Sequence, residues 1–299
     1  MSNTSGTTTL RALLGDYPIT RALKRGDVRS PDIVFDFADV KTAHTAFKRT
    51  VRDLEFDVSE LAIVTFLVAK AYGAPLVLVP AVITGRFQHP YIVYNAERGL
   101  IGPGDLAGRR VGIRSYSVTT VAWIRGMLMA DYGLDIDRVR WVTFEDPHVA
   151  EFRDPPTAER AAPGKDLLGM LLAGEIDVAI LGEPSTDPRV KTLFPDPSAA
   201  ARDWYQRNGV IQINHMLVVK ESLSKSNPRT VREVYRLIAE SKQAAGLPAP
   251  DAIDMNPLGI EAVRPGLEIA IDYVHRQRLI PRRYSVDELF DDVTRDLGR

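Results

Sequence analysis

Short apolar runs alternate with helical stretches along this chain, and four of the runs pass directly through a polar turn into a helix start. They are residues 10–14 before Gly15-Asp16-Tyr17-Pro18-Ile19-Thr20, residues 56–58 before Ser59-Glu60, residues 110–113 before Arg114-Ser115-Tyr116-Ser117, and residues 176–181 before Gly182-Glu183-Pro184-Ser185. Repeated strand-to-helix grammar specifies an α/β fold, with sheets flanked by helices. In open sheets of this class the crevice beyond the carboxyl ends of the strands takes the ligand, and helix N–H groups there favour negative charge. A small anionic molecule is therefore the expected ligand.

The 299 residues exceed one ordinary domain and suit two lobes with a cleft between them. Thirty-eight basic against 39 acidic residues, a formal charge of -1, leave no global field for nucleic acid or an anionic membrane, so attraction for an acid has to be local. No cysteine is present, which excludes disulfides, thiolate catalysis and cysteine-ligated zinc. Residues 1–9 form a Ser/Thr-rich polar tail without the basic start and apolar stretch of a secretory signal. The most apolar region, residues 61–84, is interrupted by Lys70, Gly73, Pro75 and Pro80 and reads as a helix followed by a strand rather than a membrane span. The expectation is a cytoplasmic protein with no membrane partner.

Periodicity predicts strands at residues 10–14 and 33–37, a short strand ending at Val58, and a buried strand at 76–82, with helices from about residue 20, over 42–53 and over 60–72. The first crossover between lobes is placed at Thr84-Gly85-Arg86, and extended structure resumes at 91–94. Beyond it come a strand at 110–113, a helix at 118–132 stopped by Gly133, a strand at 139–144, and a helix at 167–172 stopped by Gly174. Residues 146–165, with four prolines, read as a long loop suited to cap the cleft. A strand at 211–219 returns the chain to the first lobe, followed by helices opened by Asn227-Pro228 and by a Ser285/Glu288 capping box. Lobe 1 is thus expected to comprise 1–84 and 213–299, and lobe 2 residues 85–212.

Asp57-Val58-Ser59-Glu60-Leu61, Gly104-Asp105-Leu106-Ala107-Gly108-Arg109-Arg110-Val111-Gly112 and Gly174-Glu175-Ile176-Asp177-Val178-Ala179 resemble recurrent segments of the type 2 periplasmic-binding-protein fold. Gly85-Arg86-Phe87-Gln88-His89, Thr119-Thr120-Val121-Ala122-Trp123-Ile124-Arg125-Gly126, Ile213-Asn214-His215-Met216-Leu217-Val218-Val219, Pro257-Leu258-Gly259-Ile260-Glu261 and Asp287-Glu288-Leu289-Phe290 are more specific. Together they resemble the 4,5-dihydroxyphthalate decarboxylase family, cytoplasmic enzymes on a binding-protein scaffold, from about residue 8 to about residue 293. The resemblance implies a cofactor-independent decarboxylase of a hydroxylated aromatic, phthalate- or benzoate-like acid. One departure is Gly182-Glu183-Pro184 where the family has a Pro-Arg-Pro type turn. An anion there disfavours a second carboxylate and suits a hydroxyl or amine facing Glu183.

Loss of carbon dioxide from such an acid requires protonation of the ring carbon that bears the carboxylate, and histidine suits that role. His89, near the crossover, and His215, in the returning strand, are the expected donors, with Glu60 to orient an imidazole or accept a phenol proton. The competing reading makes His215 a hydrogen-bonded core residue, His89 a surface turn residue and Glu60 a helix-dipole partner. Arg86 and Arg114 stand at strand ends where a planar fork grips a carboxylate. Ser59, Ser115 and Ser117 read as helix caps whose turns also face the ligand, and Tyr17 completes the substrate-binding set. His44 and His275 read as solvated helix residues, His148 as a loop residue, Trp123 as core and Arg125 as a partly buried, salt-bridging arginine. No metal-binding pattern or phosphate-cradling glycine motif is present, so no metal and no cofactor are expected. The partner is a small carboxylate, with homo-oligomerisation left open. The rival functions are a non-catalytic solute receptor or sensor and a menaquinone-branch type lyase on the same scaffold.

Overall fold

The computed structural model describes residues 7–298, so the first six residues of the polar tail lie outside the described residues. The architecture is α/β, with two mixed sheets flanked by helices, and the chain forms two compact units. Unit 1 holds the residues through Arg86, Ile213–Ile269 and those from Arg283 onward; unit 2 holds Phe87–Gln212 and Ala270–Arg282. No helix among the described residues is long and apolar enough to cross a membrane.

Unit 1 is built on β1 (Thr8–Leu13), β2 (Ile33–Phe37), β3 (Val58–Ala62) and β4 (Leu76–Gly85), with β11 (Ile213–Lys220) returning late in the chain. The sheet order is β2-β1-β3-β11-β4, parallel from β2 to β3 and antiparallel on both sides of β11. Helix α1 (Pro18–Arg25) starts with proline at its first position, where no N–H is required, and ends at Gly26 with φ 79°. Helix α2 (Ile63–Ala71) is apolar except at Thr65 and Lys70 and is correspondingly buried from Ile63 to Ala69. Leu10, Ala12, Val58, Val79, Ile83, Leu217 and Val219 meet Val231, Val234, Leu237 and Ile238 of a later amphipathic helix, forming one apolar core.

Unit 2 carries β5 (Ile92–Asn95), β6 (Arg110–Ile113), β7 (Arg140–Thr143), β8 (Ala158–Arg160), β9 (Val178–Ile180) and β10 (Val190–Thr192), ordered β10-β5-β9-β6-β7-β8. Its helices are α3 (Thr119–Tyr132), α4 (Leu167–Ala173) and α5 (Pro197–Asn208), each stopped by a left-handed glycine at Gly133, Gly174 or Gly209. The remaining helices are α6 (Glu221–Ser226) and α7 (Pro228–Ala244), the latter capped by Asn227, and α8 (Ile260–Arg276), which runs on from unit 1 residues into unit 2 residues.

Five sequence expectations need correction, the first being the helix after the Ser285/Glu288 capping box, which is a 3-10 turn (Val286–Leu289). The strand expected to end at Val58 continues to Ala62, because β11 pairs with it from Val219 opposite Val58 to His215 opposite Ala62. Ladder pairing satisfies the backbone that a helix start would have left open. Residues 42–53 form a 3-10 turn (Ala43–Ala46) and a π turn (Arg49–Asp53) rather than a regular helix. The wider turn brings Arg49 Nε to 2.6 Å from Glu55 Oε2. The proline-rich loop at 146–165 contains β8, which extends the sheet edge parallel to β7. Residues 270–282, expected with lobe 1, lie in unit 2: Tyr273 packs edge-on to Trp123 at 5.6 Å, and Gln277 Nε2 donates to Ala122 O at 2.8 Å.

Candidate active site

In unit 1 the two central strands bring Glu60 and His215 together. Side chains alternate along β3, so Glu60 and Ser59 point to opposite faces, and the antiparallel register sets Glu60 opposite Leu217 and His215 opposite Ala62. Glu60 and His215 therefore share one face as diagonal neighbours. His215 Nδ1 lies 2.8 Å from Glu60 Oε2, with the Glu60 side chain fully buried and that of His215 12% exposed. The Gly15 N–H, at the turn after β1, donates to Glu60 Oε1 at 2.5 Å. Both carboxylate oxygens thus have a partner, as a buried carboxylate requires.

The imidazole is further held by Phe47, whose ring meets it edge-on at 5.0 Å between centroids. On its other side His215 pairs with Thr84 of β4, at an irregular stretch where the register shifts on both sides of His215. A bulge of this kind turns a side chain away from the regular pleat. The Thr84 hydroxyl is buried and has no hydrogen-bond partner among the described residues.

Tyr17 precedes α1, and its ring lies under Gly15, where an added Cβ would come within 2.5 Å of it. A side chain at position 15 would require that ring to move from beneath the N–H that holds Glu60. Ser59, expected as a helix cap, is instead buried within β3, with its hydroxyl donating to Glu60 O at 2.6 Å. The strand extension explains the change, and α2 begins at Ile63 without a side-chain cap. Glu60 likewise sits mid-strand, not in a first helical turn. Arg86 is half-buried and follows β4 directly.

In unit 2, His89 lies in a 3-10 turn (His89–Tyr91), 3% exposed and edge-on to Phe194 at 5.1 Å. Burial, assisted by the positive charge of Arg207, pushes it down to about 4. It is a neutral imidazole at neutral pH, and its Nδ1 has no hydrogen-bond partner among the described residues. Arg114 follows β6, one third exposed, with Nε 3.8 Å from Glu145 Oε2. The Arg114 carbonyl accepts from the N–H groups of Phe144 and Glu145 at 3.0 and 2.7 Å, which fixes the turn to the end of β7. Ser115 is 1% exposed and its hydroxyl has no partner among the described residues. Ser117 is buried but does not cap α3; Val118 occupies that position and no side chain caps the helix. Glu183 is exposed in the bend after β9.

Several contributors were not visible as site residues in the sequence. Gly15, Phe47 and Thr84 act through sheet register and turn geometry, and only Gly15, inside the first strand-to-helix turn, carried a local signal. Arg125, expected to be partly buried in a salt bridge, is fully buried and has no carboxylate within 4 Å among the described residues. Among the described residues no group of three or more His, Asp and Glu is placed to hold a metal ion.

No protein-family model matches the chain. It is 31% identical over 252 residues to a 4,5-dihydroxyphthalate decarboxylase from Comamonas testosteroni, covering 79% of this chain and 75% of that protein. A 4,5-dihydroxyphthalate decarboxylase from Pseudomonas putida is 31% identical over 213 residues, 66% of this chain and 81% of that protein. Among solved structures, the periplasmic aliphatic sulphonate binding protein SsuA from Escherichia coli superposes with a TM-score of 0.60 at 15% identity, covering 95% of this chain and 92% of that one. That likeness establishes the two-lobed periplasmic-binding-protein fold.

Proposed function

This chain belongs to the 4,5-dihydroxyphthalate decarboxylase family, and from that membership we propose that it is a carboxy-lyase acting on a hydroxylated aromatic carboxylic acid. The observation that carries the reading is the Glu60–His215 pair, a buried carboxylate oriented by Gly15 and hydrogen-bonded to an imidazole that retains some exposure. A carboxylate in this arrangement accepts from Nδ1–H, which sets the tautomer and leaves Nε2 as the nitrogen that exchanges a proton with the substrate.

In the proposed reaction, protonated His215 delivers its Nε2 proton to the ring carbon bearing the carboxylate, and a ring hydroxyl supplies the electron density that makes that carbon basic. The bond to the carboxylate then breaks, carbon dioxide leaves, and the bonding electron pair returns to restore the aromatic ring. One proton is consumed, and solvent returns it to His215. A positioned general acid of this kind contributes on the order of 10² to 10⁴ in rate. Glu60 stabilises the imidazolium before transfer and holds the ring in orientation.

His89 is left out of the proton transfer, since a buried imidazole held near 4 carries no proton to give at neutral pH. As carboxylate-binding groups we propose, each within its own unit, Arg86 in unit 1 and the Arg114-Ser115 turn in unit 2, where a loosely paired guanidinium stands beside a buried hydroxyl that has no partner among the described residues. The test is incubation of the purified chain with 4,5-dihydroxyphthalate, with carbon dioxide and 3,4-dihydroxybenzoate measured together. Equal molar yields support the proposal; saturable binding with the ligand recovered unchanged would make the protein a receptor.

A further inference from the structure

We propose that Arg125 is a positioning residue for the Arg114-Ser115-Tyr116-Ser117 turn and provides it with a fixed positive charge that favours a carboxylate; this rests on the reading just given. Arg125 projects from the middle of α3 and is 0% exposed. Its guanidinium lies over the Tyr116 ring, with Cζ 3.8 Å from the centroid, and Nη2 donates to Tyr116 O at 2.7 Å. The Trp141 ring stands 5.3 Å away and meets Tyr116 edge-on at 6.1 Å. These contacts fix the backbone of the turn at its centre.

A structural strut would not need the rest of the group. Nε and Nη1 are buried without acceptors, and no carboxylate lies within 4 Å among the described residues. Among the described residues Asp154 is an acidic electrostatic neighbour of Arg125, beyond ion-pair distance, and burial raises its carboxyl while the guanidinium lowers it. An arginine stays protonated even when buried, so the charge persists in a setting with little screening. Burying an ion without a hydrogen-bonded counter-ion is expensive, and apolar residues of similar volume serve packing better. The arrangement gains a purpose if an anion arrives beside it. The turn it supports carries Arg114, in only a loose ion pair, the buried Ser115 hydroxyl, which has no partner among the described residues, and the start of a helix without a side-chain cap.

The test uses the full chain with Arg125→Gln, which keeps a donor for Tyr116 O but removes the charge, and Arg125→Lys, which keeps the charge but loses the fork. Calorimetry compares phthalate with its neutral diamide, and steady-state kinetics follow 4,5-dihydroxyphthalate. A unit charge about 8 Å from a carboxylate changes its affinity on the order of tenfold at intermediate dielectric. The expected result for Arg125→Gln is a roughly tenfold loss of phthalate affinity with the diamide unchanged within twofold, and KM rising with kcat nearly constant. Arg125→Lys should retain the preference for phthalate over diamide, and it carries the test alone should the Gln variant not fold. Equal losses for both ligands, or no loss for either, overturn the proposal. If wild type turns over the substrate while the variants behave as wild type, this inference alone falls. If wild type neither binds phthalate nor releases carbon dioxide, the functional reading falls with it.

Discussion

Replacing Glu60 by Gln keeps shape and volume but leaves one acceptor oxygen for two donors. In the native arrangement Oε1 takes the Gly15 N–H at 2.5 Å and Oε2 faces His215 Nδ1 at 2.8 Å. A carboxamide that still accepts from Gly15 turns its NH₂ toward the imidazole, so Nδ1 has to become an acceptor and the ring proton moves to Nε2. The variant also loses the charge facing the imidazolium. At 2.8 Å and an effective dielectric of about 20 the bare attraction is roughly 6 kcal/mol, an upper bound that desolvation of the buried carboxylate reduces. A net value of about 1.5–3 kcal/mol, as for hydrogen bonds to charged groups, corresponds to roughly a 10- to 150-fold fall in kcat. The assay is steady-state release of 3,4-dihydroxybenzoate from 4,5-dihydroxyphthalate, with nitrogen NMR of the imidazole to read the tautomer. A Glu60→Gln enzyme with kcat within twofold of wild type and an unchanged tautomer would refute the reasoning.

Three further outcomes follow from named contacts. His89, pushed down to about 4 by burial, binds a proton more weakly folded than unfolded, so its contribution is complete above about pH 6.5 and lost as pH falls from there through 4. His89→Phe should remove about 3 kcal/mol of the stability difference between pH 7 and pH 4, measured by urea unfolding, while leaving kcat at pH 7 within threefold. In α3, a Cβ on Gly126 would come 2.0 Å from the buried Tyr273 ring, so Gly126→Ala should destabilise by about 1–3 kcal/mol despite its better helix propensity, read as a lowered Tm. Arg114→Met should raise KM for a carboxylate substrate by at least about tenfold with stability nearly unchanged, since its present ion pair with Glu145 is long and exposed.

Much of the frame was legible because hydrophobic period and terminators are local signals. Gly133 and Gly174 stop α3 and α4 where their sequence positions indicated, and Asn227 with Pro228 opens α7. What was not legible depends on which strand lies beside which. The sequence around Ser59 and Glu60 has the character of a helix start, yet β11, more than 150 residues later, pairs with it and carries the strand on to Ala62. That same pairing makes the Glu60–His215 contact. Chemistry alone nominated both residues; their adjacency is a property of register. Arg125 shows the reverse case. Its spacing on a helix suggested an ordinary salt bridge, and only the packed structure places Tyr116 and Trp141 against a guanidinium without a paired acid.

The role of His215 as the proton donor is tested most directly by kcat of His215→Asn on 4,5-dihydroxyphthalate, with folding verified by circular dichroism. Loss of a positioned general acid predicts a fall in kcat on the order of 10² to 10⁴ with KM changed little. A folded His215→Asn enzyme that releases carbon dioxide within a few-fold of the wild-type rate would contradict it.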